Sequence, residues 1–131
     1  MLNDSDEILS DKKKVFIVDD DKSVCRSLKL LMVSYGFAVD TFYSADEFFK
    51  EVPNSTKGCL ILDIHMPGLN GWDALKRLAQ AGYEHPVIVI TADKDESFKE
   101  KALKAGAVGF LQKPFEDHYL LHMVTSVFNT K

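Results

Sequence analysis

The 131 residues hold only two cysteines, four prolines and seven glycines, and no long apolar run. Cys25 and Cys59 stand in separate apolar stretches without CxxC spacing, so a cysteine zinc site is excluded and buried, reduced thiols are expected. The scarcity of glycine and proline excludes a collagenous or low-complexity chain. No apolar run approaches the roughly 18 residues that a bilayer span needs. The acidic N-terminus also lacks the basic-then-apolar order of a secretory signal. Neither membrane insertion nor secretion is expected, and the cytoplasm is the compartment that fits. An excess of positive charge is missing too: 16 Lys and Arg against 20 Asp and Glu leave −4, which argues against unaided binding to nucleic acid.

What is present is a globular composition, 46% hydrophobic and 27% charged, in one domain's length. A domain of this size buries about two thirds of its unfolded surface, so neither a disulfide nor a structural metal is required. Residues 1–13 are polar, end in a basic run and carry, after Met1-Leu2, one small apolar pair, Ile8-Leu9, which predicts a flexible arm before a domain over 14–131. From Val15 onward, short β-branched and apolar runs alternate with stretches of helical period, the pattern of an α/β domain with a parallel sheet between helices. The unbroken runs 15–18, 59–62 and 87–90 read as central strands one, three and four, covered on both faces. The shorter or interrupted runs 37–39 and 108–111 read as strands two and five, nearer the edges.

Five helices fill the intervals. Val24, Leu28, Leu31 and Tyr35 predict a first helix over 22–35, closed by Gly36. Ser44 followed by Glu47 is a capping box for a short second helix, ended by Pro53 and Asn54. Trp72, Leu75, Leu78 and Ala79 make the inward stripe of a third, closed by Gly82. Phe98, Ala102 and Ala105 give a thinner stripe for a fourth. The fifth, over 116–128, turns Leu120 or Leu121, Val124 and Phe128 inward. Right-handed crossovers make such a unit doubly wound, and ligands then bind beyond the carboxyl ends of the strands.

Those ends carry one coherent set: Asp19-Asp20-Asp21 after strand one, Asp63 after strand three, Thr91 after strand four and Gln112-Lys113-Pro114 after strand five. Converging carboxylates repel one another unless a cation holds them, and Mg²⁺ suits hard oxygen ligands and phosphate together. A carboxylate can itself be the nucleophile in phosphoryl transfer when metal and cationic groups neutralise the transferred oxygens. Asp63, alone at the end of the central strand, is the candidate nucleophile, with Asp19 and Asp20 placed for the metal, Lys113 as a point charge and Thr91 as a hydroxyl donor. A cis Lys113-Pro114 bond would aim the amine inward.

At these residues the chain closely resembles the receiver domains of two-component response regulators, over roughly 14–128. The matching pieces are Val18-Asp19-Asp20, Leu62-Asp63-Ile64-His65-Met66-Pro67-Gly68, Gly71, Ile90-Thr91-Ala92 and Lys113-Pro114, in the family's order. The resemblance implies a flavodoxin/receiver-like sheet of order 2-1-3-4-5. It implies Asp63 as phosphoacceptor, a Mg²⁺ site from Asp19, Asp20, Asp63 and the backbone carbonyl of His65, and Thr91 and Phe110 as a switch pair. It also implies a sensor histidine kinase or histidine phosphotransfer protein as phosphodonor, slow self-dephosphorylation, and a possible homodimer through the helix 4, strand 5, helix 5 face. His65 and Asp93 fall where the family tunes phosphoryl lifetime. The triple Asp, Gly36-Phe37-Ala38-Val39 and Lys113-Pro114-Phe115 are similar to receivers that precede LuxR-type helix-turn-helix outputs. No output domain follows in this chain, which leaves a stand-alone receiver or one excised from a longer regulator.

Rival readings account for less. A calcium loop starting at Asp19 would have Val24 where Gly is needed and Leu30 where Glu is needed. A haloacid-dehalogenase-like phosphatase would use Asp19, Asp21, Thr91 and Lys113, with Asp19 as nucleophile, but leaves Asp63 and Met66-Pro67-Gly68 without a role. A nucleotide-binding domain lacks a GxGxxG or Walker loop. A receiver-shaped interaction module without phosphorylation would be marked by loss of an acid, the threonine or the lysine, and all are present. His118 and His122, one helical turn apart with no third ligand near them in sequence, read as surface residues, and Trp72 as packing.

Overall fold

Five short runs pair side by side into one parallel sheet of order β2-β1-β3-β4-β5 in the computed structural model, which describes residues 13–54, 56–65, 70–83 and 85–129. The strands are β1 (Lys14–Val18), β2 (Ala38–Phe42), β3 (Cys59–Asp63), β4 (Val87–Thr91) and β5 (Gly109–Gln112). Between and after them run α1 (Lys22–Ser34), α2 (Ala45–Glu51), α3 (Gly71–Gln80), α4 (Ser97–Lys104) and α5 (Asp117–Asn129). Adjacent strands end level, with Val18 opposite Leu62, Asp63 opposite Ile90 and Thr91 opposite Gln112. The residues that follow them therefore emerge along one edge.

Alternation along each strand divides the core in two. Val15 and Ile17 of β1 face Cys25, Leu28 and Met32 of α1 and Leu120, Leu121 and Val124 of α5. Phe16 and Val18 face the opposite layer, where α2, α3 and α4 supply Phe48, Leu75, Leu78 and Ala102. β3 and β4 are buried throughout, as strands covered on both faces must be.

Local chemistry sets the helix ends. The Asp21 carboxylate accepts from the N–H groups of Ser23 and Val24 to open α1. Ser44 Oγ accepts from the Glu47 N–H at 3.1 Å, and the Glu47 carboxylate accepts from the Tyr43 N–H at 3.3 Å, a variant of the capping box shifted back by one residue. Asn70 caps α3, and Gly36 and Gly82 take the left-handed conformation, at φ +92° and +71°, that stops α1 and α3.

Several expected details differ. β2 spans Ala38–Phe42 rather than 37–39, because Asp40 turns to solvent and pairs with Lys14 at 2.6 Å while Phe42 is buried, the alternation of an edge strand. β5 begins at Gly109, and Val108 is exposed. α1 ends at Ser34, and Tyr35 is 65% exposed; the buried stripe is Cys25, Leu28 and Met32, with the expected Val24 and Leu31 packed partly buried beside it. On α3, Ala74 is buried where Ala79 was expected. The N-terminal arm lies outside the described residues up to residue 12, while the Lys13 carbonyl accepts from the Ala38 N–H at the start of the sheet. Both cysteines are buried and free. Among the described residues, no helix is long and apolar enough to cross a membrane.

Candidate functional site

Asp19 follows β1 directly and is fully buried. Its backbone N–H donates to the Phe42 carbonyl, its Oδ1 accepts from the Asp21 N–H at 2.9 Å, and its Oδ2 accepts from Lys113 Nζ at 2.7 Å. Asp63 is the last residue of β3 and 5% exposed. Its Oδ1 accepts from the His65 N–H at 3.3 Å, and its Oδ2 lies 3.9 Å from Lys113 Nζ. One carboxylate oxygen each from Asp19, Asp20 and Asp63 lie within 4.8 Å of one another, with Asp20 at the solvent side.

Burial pushes the Asp63 carboxyl up to about 6, with the Asp19 charge adding to the rise and Lys113 and the His65 N–H opposing it; Asp20 raises it further. Three acids thus crowd one ammonium. All three offer hard oxygen donors, so the set fits a magnesium-like divalent cation in both donor chemistry and charge.

The other predicted residues gather on the same edge. Thr91 ends β4, is fully buried, and its Oγ1 accepts from the Asp93 N–H at 3.0 Å. The Thr91 carbonyl accepts from the Lys113 N–H at 2.7 Å, which fixes the β5 exit beside the β4 exit. The Lys113-Pro114 bond is cis. Phe110 sits half-buried in β5 against the core layer of α2, α3 and α4, two residues from the polar edge. Met66 to Leu69 lie outside the described residues.

Three features escaped sequence reasoning. His65 and Asp93 touch, Nε2 to Oδ2 at 3.0 Å, and because a carboxylate only accepts, Nε2 carries the proton. Nothing in a separation of 28 residues signals that contact. Phe98 lies against the His65 ring, with centroids 6.0 Å apart. Gly71 packs so closely on the end of β3 that a Cβ there would lie 2.5 Å from Ile64 Cα and 2.8 Å from the Asp63 carbonyl oxygen. The glycine was part of the motif, but its reason is this close backbone approach. His118 is exposed and 3.2 Å from Glu116, and His122 is exposed, as surface residues would be.

Comparison with known proteins agrees with this geometry. A family model described as the response regulator receiver domain matches residues 15–125. The transcriptional regulatory protein FixJ of Bradyrhizobium diazoefficiens is 37% identical over 118 residues, 90% of this chain and 58% of that protein. The response regulator protein TodT of Pseudomonas putida is 42% identical over 114 residues, 86% of this chain and 50% of that one. The crystal structure of a response regulator receiver protein from Burkholderia phymatum superposes with a TM-score of 0.78 at 43% identity, covering 92% of this chain and 98% of that one. The chain spans about half the length of the curated relatives it matches. With the matching fold and a match across most of the chain, it belongs to the receiver domains of two-component response regulators.

Proposed function

We propose that Asp63 is the phosphoacceptor and takes its phosphoryl group from a phosphohistidine on a sensor kinase or phosphotransfer protein. The observation that carries this reading is a nearly buried carboxylate at the end of the central strand, with its oxygen 3.9 Å from Lys113 Nζ and close to two further acids. In the transfer, an Asp63 carboxylate oxygen attacks phosphorus, a P–O bond forms and the P–N bond breaks. The electron pair stays on the imidazole nitrogen of the donor. Lys113 offsets charge on the phosphoryl oxygens, and the Thr91 hydroxyl donates to one of them. Asp19, Asp20, Asp63 and the backbone carbonyl of His65 would hold Mg²⁺, which when bound supplies neutralisation of the carboxylates and the phosphoryl oxygens. Water then attacks phosphorus slowly, releasing phosphate and restoring the carboxylate.

Signalling follows if the phosphorylated domain favours one of two conformations, with Thr91 and Phe110 rearranging together. An interaction surface on α4, β5 and α5 is supported by the exposed Leu103 of α4 and Tyr119 of α5, with the exposed Val108 just before β5. It is the proposed dimer face, and the domain proper is proposed to run over 14–131 behind an arm at 1–13, in the cytoplasm.

The test is Mg²⁺-dependent labelling with acetyl phosphate or phosphoramidate, read by intact mass and peptide mapping. One phosphoryl group on Asp63, absent from Asp63→Asn, is the expected result. Label on Asp19, or stoichiometric acid-labile phosphate on Asp63→Asn, would overturn the assignment.

A further inference from the structure

α4 is weakly anchored by its own core residues. Ala102 is its one buried residue, and Glu96 at its N-cap makes no side-chain hydrogen bond. Its first turn is held instead by a cluster on the side facing α3. The Phe98 ring meets Trp72 of α3 edge-on at 5.2 Å and lies 6.0 Å from the His65 ring, while Lys101 Nζ sits 4.2 Å from the Trp72 ring centroid. His65 donates its backbone N–H to Asp63 Oδ1 and pairs through its ring with Asp93.

The loop leading to α4 is tied to the same residues. Asp93 donates its N–H to Thr91 Oγ1, accepts from the Asp95 N–H at Oδ1, and Asp95 accepts in turn from the Ser97 N–H at the start of α4. The acceptor loop and the first turn of α4 are thus joined twice, by hydrogen bonds through Asp93 and by the Phe98 ring. Of these two links only the ring also reaches α3, where Lys101 of α4 meets Trp72 as well.

We propose that Phe98 is a positioning residue for the phosphoacceptor site, acting through His65, and that its ring couples the state of Asp63 to Trp72. This rests on Asp63 being the acceptor. Holding the His65 ring restrains the loop whose N–H orients the Asp63 carboxylate, and small misplacements of a reacting group slow a transfer strongly. Coupling between two sites is reciprocal in binding free energy, so a change at Asp63 that shifts His65 is felt at the Phe98 and Trp72 rings.

Trp72 is the sole tryptophan of the chain, so emission excited beyond the tyrosine band reports the surroundings of this one ring. The experiment follows label by intact mass and Trp72 fluorescence together, after acetyl phosphate is added to the full chain with Mg²⁺. In the wild type, label and emission change share one rate constant. Phe98→Ala reaches the same final stoichiometry, but labels about three- to tenfold more slowly and loses at least about half of the emission change. Phe98→Tyr keeps the ring, with its added hydroxyl on a half-exposed side chain, and behaves as wild type. Wild-type labelling kinetics and a full emission response in Phe98→Ala would overturn the proposal, as would equal slowing in the Ala and Tyr variants. Label without any emission change in the wild type would overturn the coupling while leaving Asp63 as acceptor; no label in the wild type would overturn both.

Discussion

The two ends of the same sheet are built to opposite rules. At the amino end, the Gly58 N–H donates to His85 Nδ1 at 3.0 Å, and the Tyr83 ring stands edge-on to His85 at 4.1 Å and to Phe48 at 5.9 Å. Burial, with Cys59 nearby, pushes the Tyr83 phenol well above its ordinary range, so it stays neutral. At the carboxyl end, the buried carboxylates of Asp19 and Asp63 share Lys113 beside the exposed Asp20, and Asp63 is driven up to about 6 by its burial and by Asp19. Neutral rings and a hydrogen bond fill one end, and crowded like charge strains the other. The amino end carries one cost, the buried Tyr83 hydroxyl without a hydrogen-bond partner among the described residues; the carboxyl end carries a charge cost from its crowded acids, which a bound cation would relieve.

Two glycines, one at each end of the sheet, separate the two ends most strongly. At Gly58 a Cβ would meet the Phe16 ring at 2.6 Å and the Lys14 carbonyl at 3.0 Å, whereas at Gly71 it would meet backbone of Ile64 and Asp63. Each Gly→Ala change should destabilise by about 1–3 kcal/mol in urea unfolding. Gly71→Ala should in addition slow Asp63 labelling at least about tenfold, because the acceptor strand itself must shift. Gly58→Ala should label at the wild-type rate. Adding Phe16→Leu should recover part of the stability lost in Gly58→Ala, but Ile64→Val should not recover labelling in Gly71→Ala. Equal labelling in both glycine variants would erase the distinction between the ends.

A smaller effect sharpens it. Cys59, at the amino end, is pushed up to about 12 by burial alone. Cys25, whose thiol donates to the Asp19 carbonyl at 3.2 Å, is pushed up to about 11 by burial first and then by the Asp19 charge. Only the thiolate is alkylated. Asp19→Asn should therefore raise the ratio of Cys25 to Cys59 alkylation by about three- to tenfold at pH near 8.5. Global opening exposes both thiols alike and pulls the ratio toward one, so the ratio is read far below the unfolding transition of both proteins. An unchanged ratio would show that the charge at the carboxyl end does not reach the core beneath it.

Much of this layout was legible in the sequence, for a physical reason. Strands buried on both faces must be apolar throughout, so β1, β3 and β4 stand out as unbroken runs, and Asp19, Asp63 and Thr91 mark where each run stops. Lys113 was legible through its place after β5 beside a proline. β2 was harder, because at the edge its Asp40 faces water beside Lys14 and interrupts the pattern. The stripe of α1 was read slightly off centre: Leu28 is in the core and Val24 and Leu31 pack partly buried at its margin, but Cys25 and Met32 satisfy helical spacing as well as Tyr35 does, and only packing against β1 chooses between them. The contacts of His65 with Asp93 and Phe98 were illegible, since they depend on how two loops meet across the sheet edge.

The crowding of Asp19, Asp20 and Asp63 predicts that the Asp63 charge destabilises the domain until a cation offsets it. An acid whose folded value is raised from 3.8 to about 6 binds its proton more tightly when folded. Its favourable contribution is complete below the unfolded value and is lost as pH rises through the folded one. The most direct test is urea unfolding of the wild type and Asp63→Asn across that pH window and at pH 7, with and without Mg²⁺. Without Mg²⁺, Asp63→Asn should be the more stable protein at pH 7 by about 1–3 kcal/mol, with the gap closing as pH falls toward the unfolded value. Mg²⁺ should then stabilise the wild type and narrow the gap. Equal stability of the two proteins at pH 7, or an advantage of Asp63→Asn that Mg²⁺ leaves untouched, would contradict the account.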